Sequence, residues 1–214
     1  MVHGGIDEFS RVITYLQSSA SNTSVTVLDL FKDAVLKYGL PSRVRSDMGV
    51  ENYDVSLFML SHPARGPGRG SMIVGKSVHN QRMERLWRDV YYQVTFLFYN
   101  LFYHMESCGV LDPSNDIHIF SLHFVFIPRY NKALQNFVSA WNHHGISTAS
   151  HRTPLQLWML GMNSIANSNA LVAQETFDQV LFIIILHNIQ VFVPSLITCQ
   201  EILVSDNNNK IILL

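Results

Sequence analysis

The hydrophobic pattern at the start of the chain changes from strand-like to helix-like. Residues 11–18 are rich in β-branched and aromatic types and predict a strand, whereas residues 1–7 predict a weaker one because they contain two glycines. Asp7 is followed by residues that predict a turn between the two strands. Apolar positions at helical spacing then run toward Gly39, a residue type that commonly ends helices.

Beyond residue 40 the pattern predicts two more strands and several helices. They are, in order, a strand at 42–46, a short helix at 51–61, a short strand at 71–74, and long helices at 80–108 and 116–142. Pro128 is expected to kink or divide the last helix. The order strand, strand, helix, strand is typical of the start of a mixed α/β sheet.

The first long helix is dense in aromatic side chains. We expect them to be core or helix-packing residues, since large aromatic side chains are usually buried. The set comprises Trp87, Tyr91, Tyr92, Phe96, Phe98, Tyr99, Phe102 and Tyr103.

The character of the chain changes after residue 160. Residues 163–169 predict a polar linker, and residues 180–193 and the last four residues predict a small β unit. We therefore expect one domain at 1–160 and a linker with a β-prone tail at 161–214. The poor first strand also predicts that the domain is truncated at its N-terminus.

Composition limits the class of protein. Of the 214 residues, 48% are apolar and 14% are charged, which is typical of a globular chain. The formal charge of −1 weighs against avid DNA binding by this chain alone, because dedicated duplex binders are usually basic. Arg and Lys nevertheless cluster at residues 65–88.

Cys108 and Cys199 lack the spacing of a zinc site and are expected to be reduced, buried thiols of an intracellular protein. No apolar run approaches the ~20 residues of a membrane-spanning helix, so no membrane association is expected.

Three carboxylates stand in contexts that can converge. Asp7 ends a predicted strand, Asp47 follows a later strand, and Glu84 lies near the start of a predicted helix. Carboxylates placed in this way can hold a pair of divalent metal ions, which clamp the attacking and leaving oxygens of a phosphodiester.

Three stretches resemble the catalytic cores of retroviral-type integrases. Residues 47–52 (Asp-Met-Gly-Val-Glu-Asn) resemble the Asp-x-Gly-x-Glu stretch around the second catalytic aspartate of that family. Residues 79–85 (His-Asn-Gln-Arg-Met-Glu-Arg) are similar to its Asn-x-x-x-Glu-Arg helix start. Residues 141–144 and 152–154 are similar to its Asn…His…Thr-Pro ending. In its amino-acid sequence, the chain looks most like retroelement-derived integrase cores encoded in animal genomes.

The resemblance spans residues 1 to about 160 and implies an RNase H-like fold, with a mixed five-stranded sheet flanked by helices. It also implies a polynucleotidyl transferase that acts on DNA ends during DNA integration. Asp7, Asp47 and Glu84 would be the catalytic residues and would bind Mg²⁺ or Mn²⁺. Such a protein is expected in the nucleus, and as a homo-oligomer when active.

Six residues around the third carboxylate are candidates for contact with DNA. Cationic side chains suit phosphates, and such contacts depend on charge rather than base sequence. The candidates are Lys76, Asn80, Arg82, Arg85, Arg88 and, further upstream, Arg69. The charge of Arg65 suits a phosphate contact as well.

Structural alternatives remain open for every one of these residues. Asp7 and Asp47 both fit turns, Glu84 fits a solvated helix position paired with Arg88, and the basic residues fit ordinary solvated charges. For the whole chain, the alternative is a domesticated or decayed integrase core that binds nucleic acid or protein without catalysis. Whether the chain is an enzyme is thus left open, and a chance match in an unrelated α/β domain is the third alternative.

Overall fold

The computed structural model describes residues 1–75 and 81–166, which form an α/β arrangement of four strands and six α-helices. The strands are β1 (Val2–Ile6), β2 (Ile13–Ser18), β3 (Val44–Ser46) and β4 (Met72–Val74). The helices are α1 (Ser24–Tyr38), α2 (Tyr53–Ser61), α3 (Gln81–Val90), α4 (Phe96–Ser107), α5 (Asp116–His143) and α6 (Pro154–Ala166).

β1 and β2 form the predicted antiparallel hairpin. Gly5 is paired with Tyr15 and Ile6 with Ile13, so Thr14 is an extra residue that forms a β-bulge. The bulge shifts the alternation of β2 by one position, which places Ile13 and Leu16 on the same face although they are three residues apart. The Tyr15 ring lies on the opposite face, above Gly5.

The prediction for α1 is confirmed, including both of its ends. Thr23 is the N-cap, and its hydroxyl oxygen accepts a hydrogen bond from the N–H of Thr26. Gly39 ends the helix with φ +85°, a conformation that side chains with a Cβ rarely adopt. The helix buries Val27 and Phe31 against α2.

β3 and β4 run parallel and are connected through α2. The predicted mixed five-stranded sheet is not found in the described residues, which form two separate two-stranded sheets instead. In those residues β1 is hydrogen-bonded to β2 alone and β3 to β4 alone, so no ladder joins the hairpin to the parallel pair. A strand bonded on one side only keeps a free edge, and the two sheets therefore remain distinct.

Two hydrophobic cores lie on either side of β2. The hairpin core packs β2 against α3 and α5 and contains Ile13, Leu16, Leu86, Val90, Val94, Leu134 and Phe137. The α1–α2 core contains Val27, Phe31, Leu40, Val55 and Met59, with the Tyr15 ring packed against it. β2 consequently presents one face to each core.

Asparagine side chains of α5 hydrogen-bond to the backbone of β2. Asn142 is buried; its amide accepts from the N–H of Ile13 at 2.9 Å and donates to the Ile13 carbonyl at 3.2 Å. Asn131 makes the same pair of contacts to Ser18, at 2.7 and 3.0 Å. The two asparagines are three helical turns apart, so both reach the same strand. Trp141 adds a bond from its indole N–H to the carbonyl of Arg11.

The predicted long helix at 80–108 is continuous from residue 81, with a π-helical segment at Tyr91–Thr95 between α3 and α4. It forms an antiparallel pair with α5, where Phe98 meets Tyr130 and Phe102 meets Phe126. Pro128 lies inside α5, and the helix continues through it. Of the two expected outcomes, a kink or a division of the helix, the division is therefore wrong.

The aromatic residues of this helix were predicted to be core or helix-packing residues, and a core position is wrong for five of them. Tyr91, Tyr92, Phe96, Tyr99 and Tyr103 are exposed. These rings therefore lie on a solvent-facing side of the helix among the described residues. Cys108, expected to be a buried thiol, is exposed as well.

α6 extends to Ala166, so the first four positions of the predicted linker at 163–169 are helical instead. The predicted β unit at 180–193 and in the last four residues lies outside the described residues. Within the described part of the chain, no helix has both the length and the apolar character needed to cross a membrane.

Candidate active site and nucleic-acid surface

Asp47 lies directly after β3, at the carboxyl end of the parallel strand pair. Its Oδ1 accepts a hydrogen bond from the side-chain amide of Asn52 at 2.9 Å and a longer one from the N–H of Gly49 at 3.4 Å. The side chain lines an open cavity of about 520 Å³, whose wall also includes Ser24 from α1 and Val74 from β4. Ligand sites in α/β folds commonly occur at this end of the strands.

Glu51 is a second carboxylate in the same loop, which the sequence motif did not assign to the site. Its carboxylate lies over Gly49, where a Cβ on the glycine would come within 2.2 Å of Glu51 Oε1. Glycine at position 49 therefore allows this side chain to fold back toward the Asp47 loop. The only feature of the sequence that pointed to Glu51 was its place in the Asp-x-Gly-x-Glu spacing.

Asp7 lies in the turn between β1 and β2. Its Oδ2 accepts two hydrogen bonds from Ser10, from the N–H at 2.7 Å and from the hydroxyl at 2.6 Å. The turn is closed by backbone bonds from Asp7 N–H to Val12 and from Arg11 N–H to Asp7. Ser10 is completely buried, so Asp7 is part of the internal structure of the hairpin turn.

Glu84 is exposed in the first turn of α3. α3 lies on β1, since a Cβ on Gly4 would approach the Trp87 ring to 3.1 Å. Arg82 also forms a salt bridge with Glu8, at 2.8 Å, beside the Asp7 turn. The alternative pairing of Glu84 with Arg88 does not occur, because Arg82–Glu8 is the only salt bridge among the described residues.

The three predicted carboxylates do not form a metal-binding group in this structure. Within residues 1–75 and 81–166, no three His, Cys, Asp or Glu side chains come together closely enough to hold a metal ion. Asp7 and Glu84 lie on neighbouring elements, whereas Asp47 belongs to the other sheet. As placed, the residues do not fit the pair of divalent ions that the family resemblance implies, and their role as metal ligands stays a prediction.

The candidate DNA contacts fall into three groups. Arg85 and Arg88 are exposed on α3, whereas Arg82 on the same helix is paired with Glu8. Arg69 lies near the amino ends of β3 and β4, opposite to the Asp47 cavity. Lys76 and Asn80 are outside the described residues.

A basic neighbour of Arg69 has a structural role that sequence reasoning missed. The guanidinium of Arg65 donates to the carbonyls of Leu40, Pro41 and Ala64, at 2.7 to 2.8 Å. Burial, together with the charge of Arg69, lowers the pKa of Arg65 from its usual value. Arg65 thus joins the end of α1 to the loop before β4, a long-range contact without a local sequence signal.

An α/β chain with an aspartate at the carboxyl end of a parallel strand, followed by a basic helix that carries a glutamate, is consistent with the expected class of DNA-processing proteins. A family model described as "Integrase core domain" matches residues 1–172 of the chain. The chain belongs to this family. No curated protein and no solved structure matches it.

Proposed function

We propose that this chain is an integrase core that binds DNA through the phosphate backbone and, by itself, acts as a binding module rather than a complete catalyst. The observation that carries the proposal is the exposed pair Arg85 and Arg88 on α3, the helix that also carries the Glu-Arg end of the Asn-x-x-x-Glu-Arg motif. The two guanidinium groups are one helical turn apart, so both can lie along one phosphate strand. A location in the nucleus is part of the same proposal.

The turn around Asp7 favours binding over catalysis. Both donors of Ser10 are directed to the same oxygen of Asp7, and they belong to a serine that is fully buried. Moving Oδ2 of Asp7 to a metal ion would break these bonds and leave a buried hydroxyl without its acceptor, which costs on the order of 1–3 kcal/mol.

The test is the salt dependence of DNA binding by the full chain. Fluorescence anisotropy with a labelled short duplex, without divalent metal, gives the slope of log K against log salt concentration. Each neutralised phosphate contributes about −0.9 to the slope. Replacing both Arg85 and Arg88 with Gln should therefore reduce its magnitude by about 2.

Arg129→Gln is the matched control, because Arg129 is an exposed arginine on α5. It should leave the slope unchanged. A wild-type slope near zero would overturn the proposal, and so would a double variant whose slope equals that of the wild type.

Strand transfer at DNA ends is the second candidate function, and the position of Asp47 favours it. Its carboxylate lines an open cavity at the carboxyl end of the parallel strands. With Mg²⁺ or Mn²⁺ supplied, a transferase would join a DNA end to a target, and Asp47→Asn would reduce the rate by at least about a hundredfold. Equal activity in the two proteins, or none in the wild type, would remove this candidate.

A further inference from the structure

A histidine and a cysteine lie side by side at the carboxyl end of α4. His104 precedes Cys108 by about one turn of the helix, and the N–H of Cys108 donates to the His104 carbonyl at 3.0 Å. The thiol sulfur of Cys108 lies 3.7 Å from Nε2 and 3.8 Å from Nδ1 of the His104 ring. Both side chains are exposed, so the pair is open to a ligand from solvent.

The spacing of the pair is that of two metal ligands on one helix. Side chains at positions i and i+4 share a face, and two histidines with this spacing bind zinc in helical metal motifs. In a tetrahedral zinc site, a Zn–S bond of about 2.3 Å and a Zn–N bond of about 2.1 Å place sulfur and nitrogen ~3.6 Å apart. The separation of Sγ from either ring nitrogen is close to the one that a shared ion requires.

We propose that His104 and Cys108 together bind one Zn²⁺ ion, with water molecules in the remaining coordination positions. Thiolate and imidazole ligands favour such an ion over Mg²⁺, which prefers oxygen ligands. The site is separate from Asp7, Asp47 and Glu84, none of which lies on α4. The proposal goes beyond DNA binding and does not depend on it.

Binding requires a deprotonated sulfur and a neutral imidazole. The Cys108 thiol gives its proton to solvent as the Zn–S bond forms, and one His104 nitrogen donates its lone pair to the same ion. Because both side chains are exposed, the ring can turn to direct that nitrogen at the ion. The backbone does not have to move, since the helix already holds both residues on one face.

The electrostatics of this end of the molecule favour a cation. Residues 96–127 contain no Lys or Arg, and their acidic side chains are Glu106, Asp112 and Asp116. The carboxyl end of a helix also carries the negative end of the helix dipole, which attracts positive charge. A divalent ion at Cys108, which caps α4, is therefore not repelled by any neighbouring basic side chain in the sequence.

The affinity should be moderate, because the protein supplies two ligands instead of four. No third His, Cys, Asp or Glu joins the pair within the described parts of the chain. Structural zinc sites with four protein ligands bind far more tightly, and for half of that set we expect a dissociation constant of roughly 1–100 μM. The absence of a four-ligand pattern is also why the sequence indicated a plain thiol.

The test titrates the reduced full chain with Co²⁺, which takes the place of Zn²⁺ and absorbs in the near ultraviolet when it is bound to a thiolate. The wild type should gain this band at one ion per chain, and Zn²⁺ but not Mg²⁺ should remove it. Cys108→Ser should abolish the band. His104→Gln should raise the dissociation constant at least about tenfold, because it removes one of the two ligands.

Two substitutions are matched controls. Cys199→Ser removes the other cysteine, and His143→Gln replaces an exposed histidine on α5; both should keep the band and the wild-type dissociation constant. Circular dichroism verifies that each variant is folded. A wild type without the band would overturn the proposal, and so would a band that depends on Cys199. A folded His104→Gln variant with unchanged affinity would overturn it as well, since a thiol alone would then explain the binding.

Discussion

At the scale of single residues, polar side chains substitute for backbone partners along β2. Asn131 and Asn142 each offer one acceptor and one donor to the N–H and carbonyl of a single strand residue. An amide side chain has the same two groups as a peptide unit, so it satisfies a free position on a strand as a neighbouring strand would. The asparagine in the family-like ending at 141–144 is therefore structural.

We expect Asn142→Ala to destabilise the protein by about 2–3 kcal/mol. Ile13 is fully buried, and the substitution leaves its N–H without a partner. The measurement is the free energy of unfolding in urea.

Asn163→Ala is the control, because Asn163 is an exposed asparagine on α6. It should change the free energy by no more than about 0.5 kcal/mol. Comparable losses in the two variants would show that the contact to Ile13 is not the cause.

At the scale of elements, the hairpin depends on a close approach between its two strands. The Tyr15 ring lies on Gly5, where an added Cβ would come within 2.4 Å of ring carbon Cε1. The glycine that makes β1 look like a poor strand in the sequence is thus required by the ring on β2. Position 5 lacks a side chain because the Tyr15 ring occupies that space, and not because the strand has to be flexible there.

Gly5→Ala should accordingly lower stability by about 1–3 kcal/mol, since the ring or the strand must shift. Gly75→Ala is the matched control, because no atom of the described residues lies within 4 Å of the position that its Cβ would occupy. Thermal unfolding followed by circular dichroism measures both. A Gly5 variant as stable as the control would mean that the ring moves without cost.

Elements whose ends have local sequence signals could be predicted, whereas the way in which the elements pack together could not. Thr23 and Gly39 predict the two ends of α1, and the turn at Asp7 separates two β-prone segments. The number of strands in a sheet depends instead on edges that meet over long distances, and β1 and β3 are not joined in the described residues. Helical spacing likewise identifies an apolar stripe on α4 but does not say whether anything covers it.

The candidate site shows the same limit. The motif located Asp47 correctly at the end of a strand and Glu84 in the first turn of a helix. The motif could not show whether Asp7 belongs to a turn or to a metal site, because an aspartate of either kind can follow a strand. The contact between Asp7 and Ser10, three residues further on, is not contained in any motif.

At the scale of the whole molecule, β2 separates two cores that have no described residue in common. Ile13 and Leu16 belong to the hairpin core, and the Tyr15 ring packs against the α1–α2 core. Thr14, as the extra residue of the bulge, sets which side chain is directed to which core. A substitution at Tyr15 therefore acts on the connection between the hairpin core and the α1–α2 core.

Ionisation of Tyr15 is expected to weaken this connection at alkaline pH. Burial raises the pKa of Tyr15 to about 12, whereas an unfolded tyrosine titrates near 10. The folded state thus keeps a proton that the unfolded state loses, and stability is fully present below pH ~10 and falls as the pH rises toward ~12. The loss from this residue is at most about 3 kcal/mol. Urea unfolding between about pH 9 and pH 12 should show a steeper decline for the wild type than for Tyr15→Phe, which has no proton to lose there. Parallel declines in the two proteins would mean that the Tyr15 hydroxyl reaches solvent, and that β2 does not separate two closed cores.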